Sequence, residues 1–115
     1  MQLHVVGARE LRAAVVGLAL IDAAQMRGKA YPPLYSAGVR YRREGTGKEH
    51  WQTASEMLAS RRADCEDLVA YRLAELWSAG EKGARPVVTK RGNTWHVTLR
   101  RASGQHEDPS RKLGM

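Results

Sequence analysis

Between Ala8 and Gln25 the apolar residues Leu11, Val15, Leu18, Ala19 and Ile21 recur mainly at intervals of three and four. That spacing predicts an amphipathic helix, with Gly28 as its stop. A sharper helical pattern runs over residues 65–79, where Cys65, Leu68, Val69, Leu73, Leu76 and Trp77 share one face. Asp64 stands where an N-cap belongs, Glu66 and Asp67 suit the positive end of the helix dipole, and Gly80 ends the run. Thr53 and Glu56 have the spacing of a capping box, which predicts a short helix over residues 53–60. After Gly80 the period changes. Residues 84–90 and 94–101 read as two strands joined by a turn at Arg91-Gly92-Asn93, and a third short strand is expected from Gln105.

The remainder reads as connection. Residues 29–38, with Pro32-Pro33 and Gly38, form an extended loop; residues 39–43 suit a short strand; Gly45-Thr46-Gly47 marks a turn. The tail from Ser110 to Met115 is polar and is expected on the surface. The order helix, loop, helix, helix, hairpin predicts an α+β fold with helices packed against a small antiparallel sheet. One domain over residues 1–115 is expected, in three parts: an N-terminal helix to residue 28, a loop-rich segment with a short helix over 29–62, and a helix plus sheet over 63–115.

Charge narrows the classes of function. Nineteen Lys and Arg against twelve Asp and Glu give a net charge of +7, which favours acidic surroundings. The basic residues are scattered, as in Arg40-Tyr41-Arg42-Arg43, Arg61-Arg62 and Arg100-Arg101, and no nucleic-acid motif accompanies them. Nonspecific proximity to nucleic acid fits this pattern better than sequence reading does. The apolar run from Ala13 to Ile21 is nine residues, closed by Asp22, whereas a membrane span needs about 20. No membrane association and no secretory leader are expected.

The one cysteine excludes an internal disulfide and draws attention to Cys65 itself. A thiol at a helix start is favoured as thiolate by the dipole and by free N–H groups, which also suit an oxyanion. The flanking acids Asp64, Glu66 and Asp67 oppose it unless they turn away. Thiol acyl transfer further needs a base and a group to orient that base. Of four histidines, His96 lies within a strand where its ring would be held, and Asp108 follows at the end of the next strand. Strand alternation sets a condition. Trp95, Val97 and Leu99 face one way and His96, Thr98 and Arg100 the other, so His96 meets the thiol only through a bulge or a sheet covered on both faces. Cys65 as a plain core thiol is the competing reading. A zinc site from Cys65, His96, His106 and Asp108 lacks the familiar ligand spacing, so no metal and no cofactor are expected.

Three segments carry a family resemblance: Asp64-Cys65-Glu66-Asp67-Leu68, Thr94-Trp95-His96-Val97 and Glu107-Asp108-Pro109. Together they resemble the transglutaminase-like superfamily of papain-like folds, which places Cys at a helix start, His on a following strand and Asp on the next. The segments Pro33-Leu34-Tyr35 and Gly38-Val39-Arg40-Tyr41, and the ending from Asp108 to Met115, are similar to small bacteriophage-encoded members. The resemblance spans about Tyr31 to Met115. It departs at Ala63, where such proteins usually carry Gly, and the extra domains and calcium sites of full transglutaminases are missing. What it implies is a Cys65-His96-Asp108 triad for a cysteine peptidase, amidase or transglutaminase-like acyltransferase acting on a protein or peptide. Trp51, Gln52 and Tyr41 are the candidates for oxyanion or substrate contacts. The alternative is a phage virion or assembly protein that keeps the fold with little turnover. On either reading the chain would work in the cytoplasm of a bacterial host, among phage structural proteins, or in the virion.

Overall fold

A computed structural model describes residues 7–43 and 50–115. The predicted turn at Gly45-Thr46-Gly47 and His4 lie outside the described residues. Helix α1 runs Ala8–Met26, and a 3-10 turn at Leu34–Ser36 precedes the two-residue strand β1, Arg40–Tyr41. Helix α2 is Ala54–Ser60, strand β2 is Arg62–Ala63 and helix α3 is Cys65–Ser78. A hairpin of β3, Arg85–Arg91, and β4, Thr94–Arg100, is followed by β5, His106–Glu107, and helix α4, Pro109–Lys112. The fold is α+β, with one antiparallel sheet in the order β3-β4-β5 and a small parallel pair of β1 with β2.

Local chemistry explains most of these boundaries. Thr53 caps α2 reciprocally with Glu56, as its spacing predicts, and Asp64 caps α3 in a second box whose other half is Asp67. Arg61 closes α2 in the left-handed region at φ 61°, which turns the chain directly into β2. Its guanidinium is held by the Ala37 carbonyl. The hairpin loop is shorter than expected. Arg91 pairs with Thr94, so only Gly92 and Asn93 connect the strands, and Gly92 supplies the positive φ of 60° that a tight primed turn requires.

Two departures from the expected layout matter for the site. Helix α3 does not offer a single apolar stripe; it lies between two cores. Cys65, Val69, Ala70, Leu73 and Leu76 pack with Leu11, Val15 and Leu18 of α1 and with Val97 and Leu99 of β4. Leu68 and Tyr71 pack instead with Leu34, Val39, Met57 and Ala63. Tyr71 is fully buried because its hydroxyl has a partner, the Pro32 carbonyl at 2.6 Å. The tail is not a surface appendage either. Ser110 is buried, Leu113 packs on the second core, and the Leu113 carbonyl accepts the Tyr41 N–H at 2.9 Å. Its polar composition hides that packing, since the contacts are made largely by backbone and by one leucine.

Candidate active site

The start of α3 is set by a short parallel pairing. Tyr41 is in register with Ala63, two residues before Cys65, and the Arg42 N–H bonds the Ala63 carbonyl at 2.8 Å. Ala63 is buried in extended backbone, so a residue with a Cβ is tolerated there. This pairing brings the Tyr41 ring beside the helix start. Burial first, then the charges of Asp64 and Cys65, push its phenol up to about 12, so it stays a neutral hydroxyl donor.

Cys65 is 4% exposed. Its thiol is pushed well above the usual thiol range, chiefly by burial and then by the charges of Glu66 and Asp64; the Val97 N–H pulls in the other direction. The acids therefore do not all turn away. Asp64 and Asp67 are occupied as caps, but a Glu66 carboxylate oxygen stands within 4.8 Å of the sulfur. Burial, followed by the Asp64 charge, raises the Glu66 carboxyl to about 8. The first-turn N–H groups are also engaged: Cys65 N–H on Asp64 Oδ1 at 2.7 Å, Asp67 N–H on the Asp64 side chain, and Leu68 N–H on the Asp64 carbonyl at 3.1 Å. Capping thus takes up the Cys65 and Asp67 N–H groups, two of those expected to serve an oxyanion.

His96 and Asp108 meet. His96 Nε2 lies 2.9 Å from Asp108 Oδ2, and both side chains are largely buried. The other Asp108 oxygen accepts the Arg111 N–H at 3.3 Å, capping α4, so the carboxylate is held from two sides. The β3–β4 register is uninterrupted, and no bulge re-aims His96. Instead residues 96–99 are buried on both faces of β4, with Val97 and Leu99 toward α1 and α3 and with His96 and Thr98 opposite. Among the described residues no hydrogen bond joins the Cys65 sulfur to the imidazole; Cys65 shares a core cluster with Val97 and Leu99 on the other face of β4.

The remaining candidates separate. Trp51 is 2% exposed and packs in the cluster that holds Cys65. Gln52 is spent on structure: its backbone N–H bonds Asp67 at 2.8 Å, its amide bonds the Arg62 carbonyl at 2.7 Å, and its oxygen accepts from Ser60 at 2.6 Å. Tyr41 stands near the thiol and Trp51 shares its core cluster; Gln52 braces its helix. The zinc set is not assembled among the described residues, because His106 bonds Thr98 Oγ1 at 2.6 Å while His96 bonds Asp108. Donor atoms of Asp64, Cys65 and Glu66 do gather within 4.8 Å, as consecutive residues of one capped turn.

Glu66 is the residue the sequence signals least. A helical wheel places it beside Cys65, but its turn toward the sulfur depends on tertiary packing. Replacement by Gln is expected to speed alkylation of Cys65 above pH 8, where the native carboxyl is ionised, by about tenfold for each pKa unit recovered. Below pH 7, where Glu66 is mostly protonated, the two proteins should react alike. An equal change at both pH values would show that packing, not charge, is responsible.

Comparison with known proteins finds no family model, curated protein or solved structure that matches the chain.

Proposed function

We propose that this domain carries out thiol-dependent acyl transfer of the transglutaminase-like, papain-like kind, with Cys65 as nucleophile, His96 as base and Asp108 as its orienting partner. The observation that carries the reading is the His96–Asp108 bond of 2.9 Å on β4, the strand whose Val97 packs in the same cluster as Cys65. Asp108 takes Nε2, so Nδ1 is the nitrogen left for the thiol. The reaction requires the Cys65 side chain to move to it, because His96 stands on the face of β4 opposite Val97 and the Cys65 cluster. In the reaction Nδ1 accepts the thiol proton and the sulfur attacks an amide carbonyl. A C–S bond forms, the C–N bond breaks, and the imidazolium returns the proton to the leaving amine. Water resolves the thioester to an acid, or a second amine resolves it to a new amide. Tyr41 supports the oxyanion through a hydroxyl that stays protonated.

A second reading has its own observation. The thiol is buried, faces a carboxyl and is held in its neutral form, as suits a virion or assembly protein that keeps this scaffold without turnover. Labelling by iodoacetamide, followed by intact mass across pH 5–9, separates the two. Acyl transfer expects Cys65 to label at pH 7 in the native protein and about 100-fold more slowly in His96→Ala. A thiol equally inert in both, reactive only after denaturation, would establish the structural role instead.

A further inference from the structure

The sheet face that carries His96 is basic at both ends. Strand alternation places Arg85, Val87, Thr89 and Arg91 of β3 on the same face as Thr94, His96, Thr98 and Arg100 of β4. Arg100 is the cross-strand partner of Arg85 on one side and of His106 on the other, and all three are exposed. Like charges directly opposite each other destabilise a sheet, so the Arg85–Arg100 pair is a cost to the fold that an anionic ligand would relieve. Arg91 lies six residues along β3, about 20 Å from Arg85. Two surface hollows flank the face. One, of about 430 Å³, is lined by Arg85 and Arg100; the other, of about 660 Å³, is lined by Arg91, His106, Arg111 and Lys112 together with Asp108.

The nearby acids do not neutralise these cations. Glu107 is saturated by Tyr35, Arg72 and Arg101, Glu81 by Arg101 and the Ala102 N–H, and Asp108 by His96 and the Arg111 N–H. Among the described residues no carboxylate forms an ion pair with Arg85, Arg91, Arg100, Arg111 or Lys112.

We infer that this face is a docking surface for an extended acidic peptide, which lies along its exposed part over Arg85, Arg100, Thr89 and Arg91, beside the buried His96 and Thr98. The proposal rests on the acyl-transfer reading for the fate of the peptide, but its binding needs only the surface. A single nucleic-acid strand fits less well. Such strands are gripped by stacking on exposed aromatics, and the residues between the cations here are Val87, Thr89 and Thr94. The Tyr35 ring near the larger hollow is already covered by Arg72 and Lys112, whose charged groups stand 5.1 and 4.7 Å from its centre. A phosphodiester strand also offers no amide to a thiol.

The test measures fluorescence anisotropy of a labelled eight-residue peptide alternating Glu and Gly, against its Lys counterpart and an oligothymidine of equal charge. Native protein and Cys65→Ala should bind the Glu peptide equally, with affinity falling as salt rises. Arg85→Glu with Arg100→Glu should weaken it by about tenfold or more, and the milder Arg85→Gln with Arg100→Gln by less. Arg9→Glu with Arg12→Glu, on exposed positions of α1, makes the same change in net charge and should have less than about a twofold effect. Equal losses in the sheet and α1 variants, tighter binding of the oligothymidine, or no preference for Glu over Lys would each overturn the proposal. Peptide binding that survives beside an inert Cys65 thiol would sink the acyl-transfer reading and leave the docking surface standing. A reactive thiol without charge-selective binding would do the reverse.

Discussion

Replacing Asp22 by asparagine is expected to raise the melting temperature at pH 8 by about 10 °C, which corresponds to about 3 kcal/mol in a domain of this size. Asp22 is fully buried in α1, where its Oδ1 accepts the Ala54 N–H at 2.7 Å and so caps α2 from outside. Among the described residues its Oδ2 has no hydrogen-bond partner. Burial, the leading cause, pushes its carboxyl up to about 8 against the Ala54 hydrogen bond. The sign follows from proton counting. Between pH 4 and 8 the unfolded chain has released this proton while the folded chain still holds it, so raising the pH favours unfolding. The folded state is least penalised below the ordinary carboxyl pKa, and it loses stability progressively until the pH passes 8. Asp67, raised to about 7, and Glu66, raised to about 8, both chiefly by burial, act in the same direction. Native protein should therefore melt higher at pH 5 than at pH 8. Asparagine keeps the acceptor for Ala54 and does not titrate, so the variant's melting temperature should fall less over that range. Thermal melts at pH 5, 6.5 and 8 decide it; a native protein most stable at pH 8 would show that these carboxyls are ionised in the fold.

That buried acid was legible only as the residue closing an apolar run, which shows where sequence reasoning reaches its limit here. Elements defined by local chemistry were readable: the Thr53 and Asp64 caps, the helix starting at Cys65 and the hairpin at Gly92 all follow from neighbours in the chain. The pairing of His96 with Asp108 was legible too, through strand order and a resemblance in three short segments. What escaped depends on contacts between distant segments. The parallel pair of Arg40–Tyr41 with Arg62–Ala63 has too few residues to leave a periodicity. Tyr71 reads as a polar interruption of a stripe until the Pro32 carbonyl accepts its hydroxyl and makes a second core feasible. Glu66 reads as a dipole-complementing acid and is in fact the group that faces the thiol. In each case burial reverses the meaning of a polar residue, and burial is a property of the assembled fold.

Glu107 couples that assembled fold to the site. It is 7% exposed on the two-residue strand β5 and gathers three donors: the Tyr35 hydroxyl, Arg72 Nε at 2.7 Å and Arg101 Nη1 at 3.2 Å. Burial alone would push its carboxyl up, but the hydrogen bonds from Arg72 and Tyr35, together with the Arg72 charge, outweigh it and hold the group below the usual range. Truncation to alanine leaves Arg72 largely buried with Glu75, 3.7 Å away, as its only ion-pair partner among the described residues. Removing one member of such a buried pair is expected to cost about 3–5 kcal/mol in urea unfolding at pH 7, and Glu107→Gln, which retains an acceptor, about half of that. Because a depressed carboxyl stabilises the fold only while ionised, the difference between native protein and Glu107→Gln should shrink as pH falls below about 4. The consequence for the site is positional. Glu107 pairs with Leu99 across the sheet and is followed directly by Asp108, so loosening β5 releases the carboxylate that holds His96. Cys65 labelling should therefore slow in Glu107→Gln while the protein remains folded, and it should slow less in Arg101→Gln, where Arg72 still anchors Glu107. Unchanged labelling in a folded but destabilised Glu107→Gln would show that the Asp108 contact is maintained by α4 capping alone, independently of the ion-paired strand beside it.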